Sequence, residues 1–290
     1  MSGGAAPALA AEALSKRFRI GWAPRRSLTA LDRLDLAVQP GEVFGLLGPN
    51  GSGKTTTIKL LLGFLRPSGG RAWLLGRPAG DTSVKHRLGF LPEETYLHGF
   101  MTAEETLDFY ARLFGLDAAE RRRRSEALLE RVHLTDARRR PVRQYSKGMA
   151  RRLGLAQALI NDPELLILDE PTSGLDPLGA ADVKALILDL KARGKTLLVS
   201  SHLLADMEDV CDRVAILYQG RLVETGRVKD LLTIGEITTL KARGATPGSL
   251  ERAAQGLREA GAAEVSLDHP SESLEAHFLR VVGRQERPSA

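Results

Sequence analysis

The 290-residue chain has a single cysteine, Cys211. An internal disulfide is therefore excluded, and its apolar-flanked position reads as a small core residue, not a reactive thiol. Long apolar runs are also missing. Val43 to Leu47 and Leu165 to Leu168 are among the longest, far short of the roughly 20 residues that cross a bilayer. Any membrane span would have to come from another subunit. Met1 to Leu14 is rich in small residues but has neither a basic start nor an extended apolar stretch. No secretory leader is read there, and the chain is expected to stay in the cytoplasm. There is no internal repeat and no low-complexity linker.

What is present supports a full core. At 43% hydrophobic, the composition points to one large domain, or a large one with an appendage. The net charge is +5, but residues 112–152 hold 13 Lys/Arg against five Asp/Glu, so the remainder of the chain is at −3. Arg121 to Arg124 and Arg138 to Arg140 are the dense points. A solvated helix face is the default reading of such runs. The functional alternative is contact with an anionic surface, either lipid headgroups or an acidic partner loop.

Periodicity divides the chain. Leu31 to Val38 alternates with period two and ends at Pro40-Gly41, which predicts a half-exposed strand in an antiparallel edge sheet. Arg71 to Leu75 adds a short strand, and Leu88 to Leu91 an apolar stretch stopped by Pro92. Thr102-Ala103-Glu104-Glu105 is a capping box that opens a helix through Leu107, Tyr110, Ala111 and Phe114. Helices dominate from there to about Ile160. Leu165 to Leu168, Thr196 to Val199 and Val214 to Leu217 are continuous apolar runs, as in buried parallel strands. The expectation is an α/β fold over residues 1–232, with a helical insertion at about 95–160. Residues 233–290 are expected to form a small α+β appendage, from strand-like 237–240 and 264–267, the turn at 246–248, and helical 250–260 and 274–282.

Gly48-Pro49-Asn50-Gly51-Ser52-Gly53-Lys54-Thr55 fits G-x-x-x-x-G-K-[ST] between an apolar strand and the helical run that starts at Thr56. Such a loop curls its backbone N–H groups around phosphate oxygens, and the following helix aims its positive end at the same anion. Lys54 supplies charge to β- and γ-phosphates, and the Thr55 hydroxyl a Mg²⁺ ligand. Downstream, Leu165 to Leu168 ends in Asp169-Glu170. Asp169 at the strand end is placed to hold Mg²⁺, and Glu170 to orient and deprotonate the attacking water.

Several further motifs stand in a recognisable order. Tyr145-Ser146-Lys147-Gly148-Met149 lies between the loop and the acids, Ser173-Gly174-Leu175-Asp176-Pro177 follows them, and Val199-Ser200-Ser201-His202 comes next. Over about residues 10–232 the chain resembles the nucleotide-binding subunit of ATP-binding cassette (ABC) transporters. The resemblance implies a P-loop NTPase fold, ATP and Mg²⁺ as ligands, and a homodimer that sandwiches ATP. It implies that Ser146, Lys147 and Gly148 close over the ATP of a second copy, that His202 contacts the γ-phosphate and that Asp176 links the two halves. Phe18 occupies the place of the aromatic that stacks on adenine, with Trp22 as a rival and a core role as the competing reading.

Two positions depart from the family pattern. The signature reads YSKGM in place of LSGGQ, although the Ser146 hydroxyl and Gly148 N–H remain for a γ-phosphate. Glu93 stands where a glutamine is usual and remains able to ligate Mg²⁺ or water. With the short appendage, these variants are most similar to exporter subunits that pair with a separate transmembrane permease. Such a subunit would sit at the inner face of the cell membrane, its residues between Glu93 and Ser146 cradling the permease. A soluble cassette ATPase acting on ribosomes or DNA is the alternative. Only about 115 residues separate Lys54 from Asp169, too few for the coiled-coil arm of DNA-repair members, so no nucleic acid is expected. A regulatory GTPase is disfavoured because there is no Asn-Lys-x-Asp run.

Overall fold

The computed structural model describes residues 6–19, 27–232, 244–260, 262 and 265. The first elements are β1 (Leu9–Arg19), β2 (Ser27–Val38), β3 (Val43–Leu47), α1 (Lys54–Leu61), β4 (Gly69–Leu74) and β5 (Arg77–Pro78). A 3₁₀ turn, Thr82–Arg87, leads into β6 (Leu88–Leu91). Then come α2 (Ala103–Leu113), α3 (Ala118–Arg131), a second 3₁₀ turn at Val142–Gln144, and α4 (Lys147–Leu159). Next are β7 (Leu165–Asp169), α5 (Pro177–Ala192), β8 (Thr196–Ser201), α6 (Leu204–Val210), β9 (Arg213–Tyr218) and β10 (Arg221–Arg227). The last described helices are α7 (Val228–Leu232) and α8 (Pro247–Glu259).

Two sheets organise the described residues. One is antiparallel, in the order β2-β1-β4-β5; the other runs β10-β9-β3-β8-β7-β6, with its pairs from β9 to β6 parallel and β10 antiparallel at the edge. The apolar runs of β3, β7 and β8 are continuous because both faces of this sheet are covered. Period two sorts their side chains: Leu166, Leu168, Leu197 and Val199 enter one core with α2, α4 and α5, while Leu165, Ile167 and Leu198 enter another with the antiparallel sheet. Truncating a fully buried member such as Leu168 to Ala costs about 2–5 kcal/mol.

The helical insertion forms as its sequence predicts. Thr102 caps α2 with both bonds of the capping box present, and Asp117 caps α3 through Glu120 N–H at 2.9 Å. β6 is a full parallel neighbour of β7, so the short stretch before Pro92 belongs to the core sheet. Cys211 is buried, and burial pushes its thiol up to about 12, as an inert core residue.

The chain divides into two compact units, Met1–Leu232 and Thr233–Ala290. In the second, α8 is capped by Thr246, whose hydroxyl accepts from Ser249 N–H. The expected segments at 237–240 and 274–282, and most of that at 264–267, lie outside the described residues, as does Trp22.

Sheet order positions the chemistry. Because β3, β8, β7 and β6 are consecutive parallel neighbours, their C-terminal ends open on the same side. Gly48, His202, Glu170 and Glu93 follow those ends, in the crevice where open α/β sheets take ligands.

Candidate functional site

The loop after β3 is built for close approach. A Cβ on Gly48 would lie 2.2 Å from Leu217 O, and Gly51 and Gly53 have φ of +79° and +108°, where side chains are strained. Gly53 precedes α1 without a side-chain cap, so the first-turn N–H groups, those of Thr55 and Thr56 among them, are available to an anion. Inside the loop, the Ser52 hydroxyl is buried without a hydrogen-bond partner. Pro49 and Asn50 form its turn, with Pro49 O accepting from Ser52 N–H at 3.1 Å.

Lys54 reaches back over this cradle. Its ammonium donates to Gly48 O at 2.7 Å and lies 3.2 Å from Glu170 Oε1, with both side chains about 6% exposed. The other carboxylate oxygen, Oε2, is 2.8 Å from His202 Nδ1. Glu170 thus lies between a buried ammonium and a half-exposed imidazole. Its backbone is held at φ +50°, a conformation that costs a non-glycine residue about 1–3 kcal/mol and persists only where its surroundings impose it. Ser200 does part of that work: Glu170 N–H donates to Ser200 O at 3.1 Å and Oγ at 3.0 Å.

Asp169 is 2% exposed, and its Oδ1 accepts from Ser200 Oγ at 2.5 Å. Thr55 Oγ1 lies 3.5 Å from the same oxygen. Adjacent ligands of an octahedral Mg²⁺ are about 3 Å apart, so a small rotation brings these two hard oxygens to that spacing. No group of three or more acidic, His or Cys side chains suited to a metal occurs among the described residues. One hydroxyl and one carboxylate oxygen, as Thr55 and Asp169 supply, fit a hard cation that takes its other ligands from water and phosphate, as Mg²⁺ does. Glu93 is exposed, and its backbone carbonyl accepts from Arg151 Nη1 at 2.8 Å.

The remaining expected residues stand apart. Among the described residues, no hydrogen bond or ion pair joins Ser146, Lys147, Gly148 or Asp176 to the Gly48–Thr56 loop. Ser146 caps α4, its Oγ accepting from Met149 N–H at 3.2 Å, and Asp176 caps α5 through Gly179 N–H at 3.0 Å. Both are exposed. A Cβ on Gly174 would lie 2.2 Å from Lys147 Nζ, so the lysine of the signature packs on the glycine of the Ser173–Pro177 loop. Phe18, in β1, is half-buried, with Lys16 Nζ 5.1 Å from its ring centroid, so it is not a core aromatic.

Two residues escaped the sequence reading as site residues. Ser200 lay within the quoted Val199-Ser200-Ser201-His202 run, and only its pairing opposite Asp169 gives it a task. Arg151 was counted with the basic segment, yet it is 5% exposed and turns inward. The signal was its position three and four residues before Gly154 and Leu155, on the buried stripe of α4.

Many arginines of the basic segment are held in ion pairs, several sharing one carboxylate. Arg121 pairs with Asp108 at 2.7 Å, Arg122 with Glu126 at 3.0 Å, and Arg123 and Arg124 with Glu120 at 2.7 and 2.6 Å. These two arginines hold the Glu120 carboxyl down at about 2. A paired, solvated helix face accounts for the run. Among the described residues, no helix is long and apolar enough to cross a membrane.

Comparison with known proteins agrees with this arrangement. The family model of the ABC transporter matches residues 31–173. An uncharacterised ABC transporter ATP-binding protein of Synechocystis is 52% identical over 221 residues, 76% of this chain and 62% of that one. The matched region thus spans less than two thirds of that relative. Nod factor export ATP-binding protein I of Ralstonia nicotianae is 39% identical over 232 residues, 79% of this chain and 70% of that protein. A dimeric ATP-binding cassette solved with ADP and Pi in a post-hydrolysis state has the same fold, with a TM-score of 0.70 at 23% identity, covering 76% of this chain and 98% of that one. A P-loop cradle, a buried acid pair at the sheet's mouth and relatives of this extent lead to one assignment: the chain belongs to the ATP-binding proteins of ABC transporters.

Proposed function

We propose that the chain is a Mg²⁺-dependent ATPase that dimerises on ATP and powers export through a separate membrane subunit. The observation that carries this reading is Glu170, buried between Lys54 at 3.2 Å and His202 at 2.8 Å. The carboxylate engages both partners, and Lys54 is further occupied by Gly48 O. A γ-phosphate arriving in the Gly48–Thr56 cradle competes for Lys54. Glu170 is then released to orient a water and accept its proton, while His202 turns toward the phosphate. Thr55 and Asp169 would hold Mg²⁺, with Glu93 beside them. The ion would neutralise charge on the transferring phosphoryl group.

Ser146, Lys147 and Asp176 are exposed and Gly148 is half-buried in one chain, which fits a site completed by a second copy. The Ser146 hydroxyl accepts from Met149 N–H, so its own proton remains free to donate to phosphate. Phe18 would stack on adenine with one ring face toward Lys16.

The membrane partner has a candidate surface in the first unit. Tyr96 and Phe100 are 80% and 75% exposed between β6 and α2, and Leu113 is 66% exposed at the end of α2. Exposed large apolar groups of this kind mark contact sites. Export as the direction is supported by the Ralstonia relative, whose name assigns it to Nod factor export. Purified chain tests the enzymatic part: Lys54→Ala abolishes hydrolysis if Lys54 binds phosphate, and turnover at the normal rate would refute the site. Pull-down of a membrane protein with wild-type chain, lost in Tyr96→Ala/Phe100→Ala with ATPase intact, tests the coupling part.

A further inference from the structure

Arg151 projects from α4 into a pocket formed by two loops that flank the acids. Its Nη2 donates to Asp169 O at 2.6 Å and Glu170 O at 2.8 Å, and its Nε to Pro171 O at 3.2 Å. Nη1 donates to Pro92 O, to Glu93 O at 2.8 Å and to Thr95 Oγ1 at 3.1 Å. One guanidinium therefore holds five backbone carbonyls, three from the turn carrying Asp169 and Glu170 and two from the segment carrying Glu93.

We propose that Arg151 is a positioning residue for hydrolysis: it fixes the Glu170 backbone in its left-handed conformation and ties the Glu93 segment and α4 to it. The inference rests on the reading of Glu170 as the base. The strained residue is pinned from both sides, its N–H by Ser200 and its C=O by Arg151. Strain of this kind persists only where neighbours over-determine it. Removing one pin lets the backbone relax toward negative φ, and the carboxylate then leaves its place between Lys54 and His202.

Only arginine suits the position. Its planar fork carries five N–H donors, and lysine carries three with no fixed geometry. Burial lowers the guanidinium to about 10, against the raising effect of Asp169, Glu93 and Glu170, so it remains charged at neutral pH. It also offsets part of the negative charge that Glu93 adds to the loop cluster. Because Ser146 caps the helix that carries Arg151, the clamp joins three parts of the site: the acids, the Glu93 segment and the surface that meets a second copy.

None of these bonds touches the Gly48–Thr56 loop, so ATP binding and turnover should separate. The test measures ATP affinity with a fluorescent nucleotide analogue, and kcat, on purified Arg151→Lys, Arg151→Met and Glu170→Gln chains. Arg151→Lys preserves the charge, and its affinity is expected to stay within about threefold of wild type while kcat falls about tenfold. Arg151→Met is expected to lose about 100-fold in kcat, as a misplacement of about 1 Å in catalytic geometry does. Wild-type kcat per folded molecule in Arg151→Lys, or affinity falling as far as kcat, overturns the proposal. A lowered melting temperature with unchanged kcat overturns it equally, and Arg151→Lys decides alone if Arg151→Met does not fold. Normal turnover in Glu170→Gln instead removes the underlying reading of the base.

Discussion

The mouth of the parallel sheet and the start of α4 both carry polar groups in family-like motifs, but they treat them oppositely. At the sheet mouth, Lys54, Asp169 and Glu170 are buried and satisfied by one another and by Ser200 and the loop carbonyls. At the start of α4, Ser146 and Lys147 are exposed, and Ser146 does no more within one chain than cap its own helix. Burying charge is tolerable only where partners are fixed, and the charged groups of the first region find those partners within one chain. In the function proposed above, the second region acts on a ligand supplied by another surface.

The largest expected effects break the first region. Lys54→Ala removes a phosphate contact and leaves the buried Glu170 carboxylate short of a partner, which costs about 3–5 kcal/mol when a buried pair is broken. A urea melt and an ATPase assay are expected to show both a destabilised chain and no turnover. Ser146→Ala sharpens the contrast. Loss of the cap costs about 1 kcal/mol, and turnover falls about tenfold or more while the affinity of monomeric chain for ATP is unchanged. Equal loss of affinity would place Ser146 in its own chain's site. Smaller still is Glu93→Gln, which is expected to keep hydrolysis within about threefold, since the Glu93 carbonyl and not its carboxylate is bound by Arg151. Complete loss would make the carboxylate essential.

The smallest effect concerns the charge on α3. Arg123 and Arg124 hold Glu120 down at about 2 from 4.5, and Arg121 and Arg112 lower Asp108. A depressed carboxyl contributes stability above its unfolded pKa and loses it as pH falls through the folded one. Thermal melts from pH 5 to pH 2 are expected to show a gradual decline, slightly shallower in Glu120→Gln because Asp108 keeps its own share. Both carboxylates are only partly buried and still screened by water, so the difference in melting temperature is small.

Much of this was legible in the sequence because it depends on local pattern. The apolar runs of β3, β7 and β8, the capping box at Thr102 and the glycines of the phosphate loop each follow from periodicity or backbone freedom. Pairing across the sheet was not legible. Ser200 matters because β8 lies beside β7 in register with Asp169, and no one-dimensional pattern states that register. Arg151 was hidden by its neighbours: in a segment dense with arginine, composition favours solvent, and only the phase of the α4 apolar stripe marks it as buried. For Phe18 the sequence offers a core role and a ligand role, with Trp22 as a rival for the latter; its half-buried ring beside Lys16 argues against the core role and supports the ligand role proposed above.

The contrast between charges satisfied in one chain and a motif proposed to meet a second copy is tested most directly by sedimentation of purified Glu170→Gln chain with and without ATP. The expected result is a monomer alone and a dimer with ATP, with hydrolysis reduced about 100-fold or more, as loss of a general base does. A monomer at saturating ATP, or turnover at the wild-type rate, would contradict it.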